Sequence, residues 1–226
     1  GNNELFLKCW WEIDFTSLST DTATIEECEK ANFKWFPHNK GGVYQNWYGN
    51  RELVIRFERA GSLIKENGVR TGASYDINAK DVYFHEGITW TALTSSKNSF
   101  RYSPVGCVFD SNKGPMMFPK KDDIYYLLAL LISPVAQMVF KILNPSMSLQ
   151  NGDVDKLPVI LVSDKKNQIG QMSRENVEIV RHSWDSFETS WDFTTHPLIT
   201  YRRGVNYAGI PIDKCQYRIA DSYDIW

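Results

Sequence analysis

A stretch of apolar residues at positions 122–142 constrains the fold more than any other part of this chain. Its apolar side chains recur every three or four residues, the spacing of one helix face turned to a core. Pro134 interrupts the stretch because it lacks an amide donor, and Ser133 before it is a favourable N-cap. The pattern therefore predicts two successive helices, the second ending at Asn144, where a proline follows. The periodic positions are Ile124, Leu127, Leu128, Leu131, Val135, Met138, Val139 and Ile142.

The residues before this stretch favour short strands separated by turns. A short helix is predicted over 22–31, with Thr22 or Thr24 as its N-cap. Residues 34–42 are predicted to form a loop, because Pro37 lacks an amide donor and paired glycines free the backbone. Alternation or apolar runs predict strands over 6–15, 53–57, 73–88 (interrupted), 106–110 and 157–162.

The C-terminal part differs in composition. A polar run over 163–168 indicates a boundary, so we expect one domain over 1–162 and a helical connector with an irregular tail over 163–226. Ser173 is expected to cap a helix with an apolar stripe, which packs on a partner or folds back on the preceding domain. The stripe comprises Val177, Val180, Trp184, Phe187 and Trp191. The predicted fold class is α+β, a mixed sheet with packed helices.

Overall charge does not direct this chain to a polyanion. The formal net charge is -2 and the sequence pI about 6.1, so any nucleic-acid site must be local. Such a locality lies between residues 89 and 121, where five cations face one acid, Asp110; the alternative is an ordinary solvated loop surface. The cations are Lys97, Arg101, Lys113, Lys120 and Lys121.

Cysteine spacing and hydropathy predict the compartment. The four cysteines stand far apart with no histidine at ligand spacing, so neither a zinc site nor a disulfide framework is indicated. The longest apolar run is far shorter than the roughly 20 residues of a membrane span. We therefore expect a cytoplasmic protein with reduced thiols and no membrane partner.

Motifs for catalysis are missing from the sequence. It contains no G-x-G-x-x-G, Walker, G-x-S-x-G or H-E-x-x-H pattern, and the acid pairs at 122–123 and 153–155 are explained by capping and turns. Residues 89–103 carry the most suggestive surface chemistry. Hydroxyls, Lys97, Asn98 and Arg101 are the groups that bond phosphates and base edges, although a strand and turn rich in threonine and serine is the plainer alternative.

Seven blocks follow one another along the chain. They are NNELFLKCWWEID (2–14), KWFPHNKGG (34–42), NWYGN (46–50), EGITW (86–90), RYSP (101–104), LNPS (143–146) and WDSFETSWDF (184–193). In this order they resemble the C-terminal half of BREX-type, PglX-like adenine-specific DNA methyltransferases, a phage-defence family. The blocks extend over roughly residues 2–197. After residue 197 the chain departs from the long charged helices of that family.

The resemblance implies a DNA target-recognition region and not a catalytic one. In that family the Asn-Pro-Pro-Tyr motif lies upstream; here Asn144-Pro145 is followed by Ser146 and Met147, so the adenine-stacking aromatic is missing. The implied partners are double-stranded DNA and the methyltransferase domain of the same polypeptide, with S-adenosylmethionine bound outside this chain and no catalytic, metal or cofactor residues within it. The DNA-contact candidates are Lys40, Arg51, Thr94, Ser95, Ser96, Lys97, Asn98 and Arg101.

Two other functions remain open from the residues alone. One is a protein-interaction module that docks the methyltransferase to other defence-system proteins through the helix with Trp184. The other is an independent hydrolase built from scattered acids.

Overall fold

A computed structural model describes residues 3–73, 75, 77, 79–95, 97–160, 163–200, 222–223 and 226. The chain forms two compact units, Gly1–Val180 and Arg181–Trp226. The fold is α+β, as predicted from the sequence. The functional division at residue 162 stays a prediction.

Two small β-sheets form the first unit. One has four strands in the order β1-β3-β2-β6, and the other has three in the order β5-β4-β7. All pairs are antiparallel except β2 with β6. The strands are β1 Leu7–Cys9, β2 Trp35–Asn39, β3 Leu53–Arg56, β4 Gly87–Trp90, β5 Phe100–Ser103, β6 Val108–Phe109 and β7 Met116–Met117.

Helices lie before, between and after these strands. Thr24 caps the second helix by accepting a hydrogen bond from the amide of Glu27, so that prediction is confirmed. The α-helices among the described residues are α1 Asn3–Phe6, α2 Ile25–Lys30, α3 Glu58–Thr71, α4 Ile124–Ile132, α5 Pro134–Leu143, α6 Asn151–Val154, α7 Ser163–Asp185 and α8 Pro197–Thr200.

Strand β2 occupies the segment that was predicted to be a loop, so that prediction is wrong. Pro37 pairs with Val54 of β3, and the ladder to β6 starts only at His38, after the proline. The missing amide therefore interrupts little of the ladder. Burial in the sheet outweighs the turn signal of Pro37 and the two glycines: Phe36 of β2 and Val54 of β3 are fully buried, and Val108 of β6 is nearly so.

The helix pair was predicted correctly, but the apolar face of its second member was not. The Ser133 hydroxyl accepts from the amide of Ala136, and Pro134 is the first residue of α5, as expected. The two helical segments, however, are bent by 71° at this junction. The bend changes the face that meets the core, so α5 buries Ala136 and Phe140. Val135, Met138 and Ile142, predicted to face the core, are 70%, 66% and 71% exposed.

Other boundaries also differ from the sequence predictions. Only residues 7–9 of the strand predicted at 6–15 are extended in a sheet. Of the interrupted strand predicted at 73–88, only residues 87 and 88 belong to a strand, and residues 80–84 form turns before β4. Residues 157–160 form no strand, while 161 and 162 lie outside the described residues. Ser173, predicted to cap a helix, is buried inside α7. The helix begins earlier, within the polar run at 163–168 that was predicted to be a boundary. It ends at Asp185, so residues 187 and 191 of the predicted apolar stripe lie beyond it.

The first sheet packs on an aromatic core. Phe57 contacts Tyr83 and Phe84 edge to face, with ring centroids 5.3 and 6.1 Å apart. In the second sheet, Trp90 contacts Phe100, whose ring stacks on Phe140 of α5 at 5.8 Å. These contacts fix α5 against the start of β5, directly after residue 99.

Candidate nucleic-acid interface

Arg101, predicted to contact DNA, is a buried residue of β5. It is 2% exposed, and its guanidinium donates to the Gln45 carbonyl at 3.3 Å, the Ser99 hydroxyl at 3.2 Å and the Thr91 hydroxyl at 3.4 Å. Burial lowers the pKa of Arg101 to about 10, an effect that the charge of Glu52 opposes. Arg101 therefore joins the segments around residues 45, 91 and 99 from inside and does not present its charge to solvent.

Arg51 is also buried. Its Nη1 donates to the Cys107 sulfur at 3.4 Å, and the guanidinium lies 5.5 Å from the ring centroid of Tyr48. The side chain is 7% exposed. In this structure Arg51 stabilises the interior next to β6 and is not placed to contact a duplex.

The loop of residues 91–99 is held at both sides by hydrogen bonds. Thr91 Oγ1 accepts from the Gly42 amide at 3.1 Å, which ties this loop to the one that follows β2. On the other side, the Thr94 amide donates to Met147 and the Leu149 amide to Ala92. The tip between these anchors carries half-buried Thr94 and exposed Ser95; Ser96 lies outside the described residues.

Beyond Ser96, this loop borders a groove of about 320 Å³, here called the α5 groove. It brings together Lys97 and Asn98, both predicted from the sequence, with Gln137 and Lys141 of α5. None of the eight described residues that line the groove is acidic. They are Tyr44, Lys97, Asn98, Ile132, Pro134, Gln137, Met138 and Lys141.

The side chains in the α5 groove carry two ammonium groups and several hydrogen-bonding groups. Lys97 and Lys141 are exposed, and Asn98 and Gln137 are partly so. The Gln137 amide is anchored, since its Nε2 donates to the Leu131 carbonyl at 3.0 Å. The Tyr44 hydroxyl accepts from Asn46 at 3.0 Å. Such a set can bond phosphate oxygens and polar edges of bases.

Sequence reasoning missed the residues that α5 and the loop after β2 supply to the groove. Gln137 and Lys141 are four residues apart and so share one helix face, a signal that was present in the sequence. The neighbouring apolar positions concealed it, because they indicated a buried helix. Tyr44 carried no local signal, since its position depends on how the loop packs against Thr91.

Lys40 lies at a different site from Lys97. It lines a cavity of about 410 Å³, here called the His38 cavity, together with Lys113 and Asp110. Partial burial lowers the pKa of Lys40, Lys113 lowers it further, and Asp110 opposes both. Lys121 instead pairs with Glu86 at 3.8 Å. The predicted cations are thus divided among two surface sites, an ion pair and the interior.

The Asn-Pro dipeptide has a structural role. Asn144 Nδ2 donates to the Ser148 carbonyl and to Asp153 Oδ2, both at 2.6 Å, and its Oδ1 accepts from Ser146. The amide therefore closes the loop between α5 and α6. Asp153 also accepts from the Gln150 amide, and these hydrogen bonds lower the pKa of Asp153. Within the described part of the chain, no three histidine, cysteine or acidic side chains are grouped to hold a metal ion.

No single helix among the described residues has the length and apolar composition of a membrane span. Only the bent pair Lys121–Ile132 and Pro134–Leu143 meets both criteria when taken together.

Comparison with known proteins identifies two relatives. The chain is 32% identical over 210 residues to the adenine-specific methyltransferase BrxX of Escherichia coli O9:H4 (strain HS), a match that covers 92% of this chain. It is 38% identical over 205 residues to the adenine-specific methyltransferase PglX of Lacticaseibacillus casei (strain Zhang), covering 88% of this chain. The matched region is 16% of each relative's length. No protein-family model matches. The chain is therefore homologous to a segment of the BrxX and PglX adenine-specific methyltransferases.

Proposed function

We propose that this chain is a DNA-recognition segment of an adenine-specific DNA methyltransferase, with the α5 groove and the adjoining loop as its duplex-contacting surface. The observation that carries the proposal is the grouping of Lys97, Asn98, Gln137 and Lys141 around one open groove without an acidic lining residue. The relatives' names supply the kind of substrate, and the groove supplies the chemistry.

The hydrogen bonds at the base of the loop support this assignment. A recognition loop must hold its side chains in a fixed register on the duplex, and buried Arg101 joins three segments beneath it. Lys97 and Lys141 would contact phosphates, while Asn98 and Gln137 are the side chains able to bond an adenine edge through two hydrogen bonds. Thr94 and Ser95 add hydroxyl donors at the tip of the same loop; Ser96 stays a prediction.

The chemistry of methyl transfer belongs, in this proposal, to other parts of the polypeptide. The S-adenosylmethionine site and the groups that act on the adenine would lie in the remaining length of the parent protein. This segment would place the target sequence, and the catalytic domain would act on an adenine taken out of the stack.

The salt dependence of duplex binding tests the proposal. Affinity of the 226-residue chain for duplex DNA should fall with salt, because each phosphate contact releases counterions. Lys97→Gln and Lys141→Gln should each lower the slope of log K against log salt by about 1. Lys30→Gln, at the exposed end of α2, is the matched control and should leave the slope unchanged.

Sequence specificity needs a separate measurement. Selection from a random duplex pool should enrich a defined motif, and Asn98→Ala should weaken preference at one position by about 1–3 kcal/mol. Equal slopes for Lys97→Gln, Lys141→Gln and Lys30→Gln would rule out the α5 groove as the contact surface. Absence of any enriched motif would remove the recognition role.

A second candidate function is docking of other defence-system proteins, and one observation favours it. Val135, Met138 and Ile142 are exposed apolar residues on α5, each at least 66% exposed. Apolar side chains at positions i, i+3 and i+7 suit contact with another protein. Binding to such a partner would be insensitive to salt and weakened by Met138→Gln, whereas duplex binding through the lysines would be steeply salt dependent.

A further inference from the structure

The His38 cavity lies outside the α5 groove and has the features of a binding site for a small ligand. Its volume of about 410 Å³ is in the range of ligand pockets. It opens between the first sheet, α3 and the turn after β6. Its wall is lined by aromatic and aliphatic side chains, among them Phe57, Ile64, Tyr75, Ile77, Tyr83 and Phe109.

An unsatisfied polar atom lies in the wall. His38 is 7% exposed, and its Nδ1 has no hydrogen-bond partner among the described residues. Burial lowers the pKa of His38 to about 4, so the ring is neutral at pH 7 and presents Nδ1 either as an acceptor or as a donor. A polar edge on a molecule that fills the cavity would give this buried atom a partner.

Two cations lie at the exposed side of the same cavity. Lys113 is exposed and Lys40 half-buried, with Asp110 as the acid that lines the cavity beside them. Backbone packing holds the lysines' segments together: a Cβ on Gly41 would lie 2.7 Å from the Lys113 carbonyl. A Cβ on Gly114 would lie 2.7 Å from the Asn39 carbonyl. One acid beside two cations leaves a net positive mouth, which suits an anion.

The cavity thus combines an aromatic wall, a buried imidazole and a positively charged mouth. A ligand that complements all three is an anion with a flat ring that can form hydrogen bonds. We propose that the His38 cavity binds a purine nucleotide, with the base against the aromatic wall and His38, and the phosphate at Lys40 and Lys113. The choice of a nucleotide among ring-bearing anions rests on the proposed function. The nucleotide is either free in solution or an unstacked nucleotide of bound DNA.

Calorimetric titration of the 226-residue chain with adenosine monophosphate, adenosine and ribose 5-phosphate tests the proposal. The monophosphate should bind one to one, adenosine at least threefold more weakly, and ribose 5-phosphate more weakly still. Lys113→Gln should reduce affinity for the monophosphate at least threefold and leave adenosine unchanged. His38→Phe, which keeps a ring but removes Nδ1, should weaken both.

Lys30→Gln, at the exposed end of α2 and outside both sites, is the matched control and should alter none of these affinities. Thermal unfolding checks that His38→Phe is folded. Lys113 is exposed, so Lys113→Gln should fold in any case and gives the decisive result if His38→Phe does not fold. No binding of the monophosphate by the unmodified chain, or equal affinities for it in Lys113→Gln and the unmodified chain, would overturn the proposal.

Competition with DNA identifies the source of the nucleotide. A duplex with one unpaired adenine that displaces the monophosphate, where a fully paired duplex does not, supports an unstacked nucleotide. Failure of both duplexes to compete supports a free nucleotide. If nucleotide binding depends on Lys113 but duplex binding shows no salt dependence, the nucleotide site in the His38 cavity is supported and the proposed DNA-recognition function is refuted. Salt-dependent duplex binding without nucleotide binding that depends on Lys113 would refute only the nucleotide site in the His38 cavity.

Discussion

The guanidinium of Arg101 donates to the backbone carbonyl of Gln45 at 3.3 Å and so connects β5 to the loop that follows β2. The same loop is joined to β5 by the amide of Trp47, which donates to Phe100, and by that of Tyr102, which donates to Trp47. Since Arg101 also donates to Thr91 and Ser99, it joins this loop to the base of the loop of residues 91–99, which is proposed to contact DNA.

Replacing Arg101 with methionine should destabilise the protein. The variant leaves the Gln45 carbonyl and the hydroxyls of Ser99 and Thr91 without their charged donor, at a cost of about 2–3 kcal/mol in the free energy of unfolding. Urea unfolding measures this change, and hydrogen exchange at the Trp47 and Tyr102 amides should accelerate. Lys97→Met, an exposed cation nearby, is the control and should change stability by no more than about 0.5 kcal/mol. Equal stability of the two variants would contradict the structural role of Arg101.

Removing the cap of α5 should have a smaller effect. The Ser133 hydroxyl accepts from the Ala136 amide at 3.2 Å, so Ser133→Ala leaves that amide without its cap and should lower the free energy of unfolding by about 1 kcal/mol. Ser95→Ala, at an exposed loop position, should be nearly neutral. Denaturant midpoints of the two variants provide the comparison. A neutral Ser133→Ala would mean that packing of Phe140 alone holds the start of α5.

Acidification should destabilise the fold through His38. Its pKa in the folded state is lowered to about 4 from a reference of 6.5, chiefly by burial and also by Lys40, while Asp110 and a Val108 hydrogen bond oppose the shift. The unfolded chain therefore takes up a proton first as pH falls through 6.5, and the folded chain only near 4. Stability should decline across that window, by roughly 2 kcal/mol between pH 7 and pH 5.

The contribution of His38 is isolated by comparing the unmodified chain with His38→Phe at both pH values. The variant should lose most of this dependence, while retaining the effects of carboxylates that titrate at lower pH. A pH dependence that is the same in both chains would show that other groups cause the decline.

Two glycines should respond to alanine in opposite directions. Gly106 has φ +91°, and a Cβ there would lie 2.2 Å from the Thr20 carbonyl, so Gly106→Ala should cost about 1–3 kcal/mol or more. Gly170 lies inside α7 with no atom within 4 Å of a built Cβ. Gly170→Ala should therefore stabilise the protein by about 0.5–1 kcal/mol. Thermal unfolding of the two variants checks the signs; a stabilised Gly106→Ala would contradict the close approach to Thr20.

Local signals were sufficient for the elements that depend on neighbouring residues. The Ser133-Pro134 boundary and the Thr24 cap follow from hydrogen bonds within a few residues, and both were predicted. Helix α3 gave no such signal, because Gly68 lowers its helix propensity and its first turn is interrupted by positive φ angles from Arg59 to Gly61. Strand β2 was missed because distant residues of β3 and β6 decide its conformation.

The site was only partly predictable for the same reason. Lys97 and Asn98 were identified by their residue types and do lie in the α5 groove, although DNA contact by them stays a proposal. Arg101 and Arg51 were also identified by their residue type, but both are buried. No feature of the neighbouring sequence distinguishes a buried arginine from an exposed one. The His38 cavity could not have been predicted, since its lining extends from Asn3 to Lys113.

The backbone contacts of Gly41 and Gly114 bear on how related chains can differ in specificity. The separation of the Lys40 and Lys113 segments is set by main-chain packing, while the ammonium groups themselves sit on long, flexible stems. An exchange of either glycine for a larger residue would widen the distance between the two positive charges without removing one. Under the proposal that this cavity binds an anion, such an exchange would change the size of the anion that fits between the two lysines, although neither lysine is altered.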